Sequence, residues 1–176
     1  VSKALGAFKD VPLVFCELGG LSVMDVRTMA RRARREFGEM SLIVIDYLGL
    51  MDHGDAENRA ASIERTTNAL KALAKELATP VMLLSQVNRG CESRPNKRPI
   101  MSDLRESGGV EQDADTIMFV YRDFVYKPDH PELKHDAEII VAKQRNGPVD
   151  TVKLTFLKPL TKFDNLAPGS AGSGEY

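Results

Sequence analysis

Two short apolar runs on either side of one amphipathic helix constrain this chain more than any other feature. Ser41-Leu-Ile-Val-Ile-Asp46 holds four consecutive apolar residues closed by an acid, and Val81-Met-Leu-Leu-Ser85 repeats the pattern with Gln86 following. A run that is apolar on both faces suits a central parallel strand with helices above and below it. Between the runs, Arg59 to Leu77 places Ile63, Thr67, Leu70, Ala74 and Leu77 on one helical face, and Pro80 comes soon after the end. Strand, helix, strand at this spacing reads as a right-handed βαβ crossover.

The flanking segments extend the pattern. Leu13-Val-Phe-Cys16 is a short strand candidate. Ser22 is expected to cap a helix in a capping box with Asp25. That helix carries Val23, Val26, Ala30, Ala33 and Phe37 on its inner face, and Gly38 closes it. Arg27, Arg31, Arg34 and Arg35 point elsewhere; this basic face could bind phosphate or simply be solvated. Thr116-Ile-Met-Phe-Val-Tyr121 is a third strand. Ala137 to Ala142 and Thr151 to Phe156 flank Asn146-Gly-Pro and form a hairpin. The fold class is therefore α/β: a parallel sheet flanked by helices and ending in an antiparallel hairpin. Residues 1–165 are expected to form the domain, and the small, polar residues 166–176 a disordered tail.

Composition excludes several classes. Of 176 residues 43% are hydrophobic, enough for a buried core. No apolar run exceeds the five residues of Ile117 to Tyr121, so no transmembrane helix and no membrane partner are expected. Twenty-four basic and 25 acidic residues give a net charge of −1, which rules out a uniformly basic coat but not a local patch. Cys16 and Cys91 make no disulfide framework, and His53, His130 and His135 are too scattered for a metal site. Without a basic-then-apolar leader, a cytoplasmic protein is expected.

Chemistry is expected at the strand ends. Ligands of open α/β sheets collect at the carboxyl ends of the strands. There Asp46 could hold Mg²⁺ beside a nucleotide's phosphates, and Gln86 could sense a γ-phosphate or orient a water. The pattern alone also fits polar residues that merely end two strands. Residues 88–105 hold Arg89, Arg94, Lys97, Arg98 and Arg105 against Glu92 and Asp103, a local excess of three positive charges. A mobile basic loop followed by glycines suits backbone contacts to nucleic acid through Arg105, Glu106 and Gly108; a solvated loop is the plainer reading. Lys143 and Arg145 lie two apart on a strand and share a face, where two cations repel unless an anion lies between them. A nucleoside triphosphate would answer, as would the exposed rim of a hairpin. No Gly-x-x-x-x-Gly-Lys-Ser/Thr motif occurs in these residues.

Four segments together carry a resemblance. They are Leu42-Ile-Val-Ile-Asp-Tyr-Leu-Gly-Leu-Met51, Leu84-Ser-Gln-Val-Asn-Arg89, Lys97-Arg-Pro-Ile-Met-Ser-Asp-Leu-Arg-Glu-Ser-Gly-Gly-Val-Glu-Gln-Asp-Ala-Asp115 and Ala142-Lys-Gln-Arg-Asn-Gly-Pro148. From about Leu13 to Asn165 the chain resembles the C-terminal, RecA-like ATPase domain of DnaB-type replicative DNA helicases. The resemblance implies a hexamer that couples ATP hydrolysis, with Mg²⁺, to 5′→3′ movement along single-stranded DNA. It implies that Asp46 is the Walker B acid at the metal and Gln86 the γ-phosphate sensor. Arg105, Glu106 and Gly108 would grip single-stranded DNA. Arg145 would be the arginine finger reaching the next subunit's nucleotide, with Lys143 as its companion. Primase and a helicase loader are implied as partners. Gly49 stands where the family usually has Gln. The match begins downstream of the Walker A loop and the catalytic Glu, and Glu17 does not align with that Glu. By itself this chain is expected to hydrolyse ATP negligibly. A filament- or clock-forming ATPase of the RecA or KaiC type, and a non-catalytic DNA-binding remnant, are the alternatives.

Overall fold

The first N–H groups of a helix need acceptors from outside it, and Ser22 supplies one. In the computed structural model, which describes residues 11–54, 58–104 and 108–166, α1 (Val23–Phe37) opens on a complete capping box. Ser22 Oγ accepts from the Asp25 N–H at 3.2 Å, and the Asp25 carboxylate accepts from the Ser22 N–H at 2.9 Å. Gly38 ends the helix at φ +88°, a conformation that favours glycine, and its N–H bonds the Arg34 carbonyl. Ala30 is buried, but Phe37, expected on the inner face, is exposed because it is the last helical residue.

Two compact units divide the chain, Val1–Gln86 and Val87–Tyr176. The first is the βαβ unit. β1 (Ile43–Ile45) and β2 (Val81–Leu83) pair in parallel, Ile43 opposite Val81 and Ile45 opposite Leu83. The crossover is α2 (Arg59–Leu77), with the bounds read from the sequence; Asn58 caps it by accepting from the Ala61 N–H. It packs on α1 and β2 and buries Ile63, Leu70, Leu73 and Leu77. Arg27 and Arg31 of α1 both reach Glu76 of α2, at 2.5 and 2.6 Å, so part of the basic face has a structural task.

Two expectations fail in this unit. The strands are not buried on both faces: Ile43, Ile45, Val81 and Leu83 are half-buried, whereas Val44 and Met82, pointing the other way, are exposed. Among the described residues α2 packs on this pair, and the face that carries Val44 and Met82 is the more exposed one. Leu13 to Cys16 is not a strand; its apolar side chains are exposed, and no strand ladder among the described residues includes it. Apolar residues alone do not make a strand without a neighbour for the backbone.

The second unit is a four-stranded antiparallel sheet in the order β3 (Thr116–Tyr121), β4 (Asp136–Gln144), β5 (Asp150–Leu157), β6 (Lys162–Asn165). β3 pairs with the expected hairpin of β4 and β5. Burial along β3 alternates: Ile117, Phe119 and Tyr121 are covered, while Met118 and Val120 are exposed. Leu104, Ile117 and Phe119 form a core with Val87, Met101, Val110, Ala114, Ile140 and Ala142 packed against it. β6 has no counterpart in the sequence reading; Phe163 packs on Phe156 of β5 with ring centroids 5.0 Å apart. The six-residue helix α3 (Gly108–Asp113) precedes β3. Of the expected tail only Leu166 lies within the described residues.

Adjacent residues of β3 provide a check on this packing. Phe119→Ala should lower the unfolding free energy by about 3–5 kcal/mol, as burial of a whole aromatic ring demands. Met118→Ala should change it by about 0.5 kcal/mol or less. Urea titrations followed by circular dichroism measure both, and equal losses would contradict the alternation.

Candidate functional site

Parallel pairing in register delivers two strands to the same end. The Leu84 N–H bonds the Ile45 carbonyl at 3.0 Å, and the Leu48 N–H bonds the Leu84 carbonyl at 2.9 Å. Asp46 follows β1 and Gln86 lies three residues beyond β2, so both leave the sheet at its carboxyl end, and both are exposed. The turn after Asp46 is firmly held. Leu48 is buried, and the His53 ring bonds the Leu48 carbonyl through Nε2 at 2.8 Å and Thr66 Oγ1 of α2 through Nδ1 at 3.1 Å. Tyr47 lies over Gly49 so closely that a Cβ there would meet its Cε2 at 2.5 Å. The Gly in place of the family's Gln is thus matched to the ring position.

In the second unit, Gly108 begins α3 and is exposed. Arg105 and Glu106 lie outside the described residues. The chain leading to them is described, and it is not the open basic loop expected from charge. Asp103 is 6% exposed and receives Arg94 Nη1 at 2.9 Å, Arg94 Nη2 at 2.5 Å and the Ile100 N–H at 2.8 Å. Its own carbonyl accepts from the Asn88 N–H at 2.7 Å, and Val87 bridges Leu104. Both ends of the loop are therefore tied together directly before residue 105. Hydrogen bonds from Arg94, the Ile100 N–H and the charge of Arg94 hold the Asp103 carboxyl below the usual carboxylate range, against the opposing effect of burial.

Arg98 is also engaged. It forks onto Glu138 of β4 at 2.7 and 2.6 Å and lies over the Tyr121 ring. Lys97 donates to the Glu92 carbonyl and lies over Tyr126. Burial and the Asp123 acceptor at 2.6 Å push the Tyr121 hydroxyl well above its ordinary value. Of the cations expected to face nucleic acid from this loop, Arg94, Lys97 and Arg98 are instead bound to their own chain. The two acids within the basic loop, Glu92 and Asp103, were the signal for a pair such as Arg94–Asp103; Glu138 and His53 gave none.

Lys143 and Arg145 do share a side, as their spacing requires, but both are engaged by their own chain. Lys143 Nζ donates to the Glu111 carbonyl, and Arg145 Nη2 donates to the Gln112 carbonyl at 2.7 Å. Arg145 Nη1 lies 3.5 Å from an Asp115 carboxylate oxygen. Carbonyl oxygens at a helix end satisfy the pair without a bound polyanion.

An acid and an amide thus leave the same end of a parallel strand pair beside a crossover helix, an α/β arrangement. Residues 1–165 match the family model of the DnaB-like helicase C terminal domain. The chain belongs to that family. It is 50% identical over 169 residues to the replicative DNA helicase DnaB of Pasteurella multocida (strain Pm70), covering 95% of this chain and 36% of that protein. It is 51% identical over 169 residues to the DnaB of Haemophilus influenzae (strain ATCC 51907 / DSM 11121 / KW20 / Rd), with the same coverage. The chain thus spans little more than a third of these curated relatives. A solved structure described as an ATPase domain superposes with a TM-score of 0.88 at 40% identity, over 94% of this chain and 59% of that one. A DnaB-like replicative helicase, described with its interactions with primase, gives the same score and identity over 41% of its length. The fold is RecA-like, as these neighbours have it.

The Asp103 carboxyl sets a pH test. Its value is depressed in the folded state, so its contribution is complete above the unfolded value of about 4 and is lost as pH falls through the folded value. Asp103→Asn should therefore destabilise at pH 7, and the gap to wild type should narrow at about pH 3. Urea midpoints across that range measure it; a gap independent of pH would show that the carboxylate charge is not what holds the loop.

Proposed function

We propose that this chain works as part of a hexameric replicative DNA helicase that couples ATP hydrolysis to 5′→3′ translocation on single-stranded DNA and so unwinds duplex. The observation that carries the reading is the emergence of Asp46 and Gln86 from the same end of the parallel pair, in a chain of this family. One exposed carboxylate suits Mg²⁺, which keeps several waters and takes one or two protein carboxylates plus phosphate oxygens. Among the described residues no cluster of three or more His, Cys, Asp or Glu could form a dedicated cage. Asp46 is the residue that would hold the ion, which when bound offsets charge on the phosphates. The Gln86 amide would read the terminal phosphate.

Lys143 and Arg145 would act across a subunit boundary, giving the next protomer's nucleotide two cations it cannot supply itself. Arg105, Glu106 and Gly108 would hold the DNA backbone in a sequence-neutral way, through side chain and main chain. No helix of the described residues is long and apolar enough to cross a membrane. We place the protein in the cytoplasm, with primase and a helicase loader as partners.

Complementation in trans tests the assignment. In the full-length gene product, Asp46→Asn and Arg145→Ala should each reduce ATP hydrolysis by roughly a thousandfold. Mixed in equal amounts, the two inactive proteins should recover activity at about a quarter of the interfaces, where an intact Asp46 meets an intact Arg145 from its neighbour. Unwinding of a fork with a 5′ tail should return with it. A mixture that stays inactive would place the finger within its own subunit.

A further inference from the structure

The turn that follows Asp46 is tied to the chain around it by backbone bonds and by one imidazole. The Leu48 N–H bonds the Leu84 carbonyl at 2.9 Å, the Gly20 N–H bonds the Leu50 carbonyl at 3.2 Å, and the Asp52 N–H bonds the Leu21 carbonyl at 3.1 Å. The imidazole is that of His53, which is half-buried. Leu48 is 3% exposed, so its carbonyl needs donors from the protein. It accepts from the Met51 N–H within the turn at 3.2 Å and from His53 Nε2 at 2.8 Å, the closer of the two. A carbonyl only accepts, so Nε2 carries the hydrogen. Nδ1 faces Thr66 Oγ1 of α2 at 3.1 Å, and Thr66 is itself buried. A hydroxyl both donates and accepts, so Nδ1 has a partner with or without a proton, and the ring keeps its aim. His53 thus joins the crossover helix to the residue two beyond Asp46.

We infer that His53 is a positioning residue for Asp46: its Nε2–H on the Leu48 carbonyl, aimed by Thr66 of α2, sets where the strand-end carboxylate stands for the cation. This role rests on the reading of Asp46 as the acid at Mg²⁺. Asp46 is exposed, and no hydrogen bond or ion pair among the described residues holds its carboxylate directly. Its place is therefore set by the backbone that carries it, β1 on one side and this turn on the other. A shift of about 1 Å in a reacting group is enough to cost about a hundredfold in rate. Groups that orient a metal-binding side chain typically cost about 10- to 100-fold in metal affinity when they are lost. Without the imidazole the backbone ties remain, so the turn should persist while the carboxylate is less well placed.

Metal binding by the full-length gene product tests this, with Mn²⁺ in place of Mg²⁺ and a non-hydrolysable ATP analogue. The free-ion electron paramagnetic resonance signal reads the affinity without turnover. His53→Gln carries an amide N–H close to the place of Nε2 and keeps the donor for Leu48. His53→Asn carries its amide near the place of Nδ1 and keeps the Thr66 contact alone. His53→Asn should weaken Mn²⁺ binding by about tenfold, and His53→Gln by about threefold or less. Amide exchange at the Met51 N–H, followed without metal or nucleotide, should speed up in His53→Asn and stay near the wild-type rate in His53→Gln. Wild-type affinity in His53→Asn, or equal losses in the two variants, overturns the positioning role. Asp46→Asn separates the two readings, and it should lose at least as much affinity as His53→Asn. Loss in Asp46→Asn with none in His53→Asn overturns the role of His53 alone. Wild-type affinity in Asp46→Asn overturns the reading of Asp46 as the acid at the metal, and with it the role of His53.

Discussion

The parallel pairing of β1 with β2 is the constraint on which the placement of Asp46 and Gln86 depends. Three-residue strands are short, and parallel ladders are the weaker kind. These are held from outside their own hydrogen bonds. The Ile43 N–H bonds the Pro80 carbonyl, so the helix stop at Pro80 also sets the register. Leu73 and Leu77 of α2, with Ile63 and Leu70, bury the face that the crossover brings down. Once Ile45 lies opposite Leu83, Asp46 and Gln86 must leave by the same end. The His53 brace then fixes the turn beyond, so an exposed carboxylate stands on rigid surroundings. Such an acid would have little to reorganise on binding the cation proposed for it.

In the second unit, local pairing of charge matters more than its sum. Arg94 with Asp103, Arg98 with Glu138, and Lys127 with Asp123 each close on themselves. A loop that reads as a basic arm by composition is in fact stitched to the sheet. The stitching serves the same end as the strand pairing in the first unit, because it fixes the chain up to Leu104. That stretch ends on a buried acid and a buried leucine, Asp103 and Leu104.

Where local rules act alone, the sequence was legible. Ser22 with Asp25 announced α1, and the apolar spacing from Arg59 announced the bounds of α2. Asn146-Gly-Pro announced the hairpin. The failures share one cause: each needed a partner distant in sequence. Leu13 to Cys16 has strand composition without a neighbour to pair with among the described residues. Val44 and Met82 are as apolar as the residues beside them, yet both are left exposed. β6 hides because Lys162 and Asp164 make an edge strand look like a loop; charged residues there blunt the edge, and Phe163, though exposed, sets its ring against Phe156. The motifs at Asp46, Gln86, Lys143 and Arg145 picked out chemistry-bearing residue types, but they could not say what each side chain touches.

Lys143 and Arg145 show why that last step needs coordinates. Spacing along a strand puts two cations on one side, and elementary electrostatics says that an acceptor must lie between them. It does not say whether the acceptor is a phosphate or the exposed carbonyls of a helix end, because both offer oxygen at the same distance. The structure supplies the second, and the reason lies in the ladder. Ile117 pairs with Lys143 next to a register irregularity at Met118, and the Arg145 N–H continues the pairing onto Asp115. The backbone of the strand end is thereby anchored beside the end of α3.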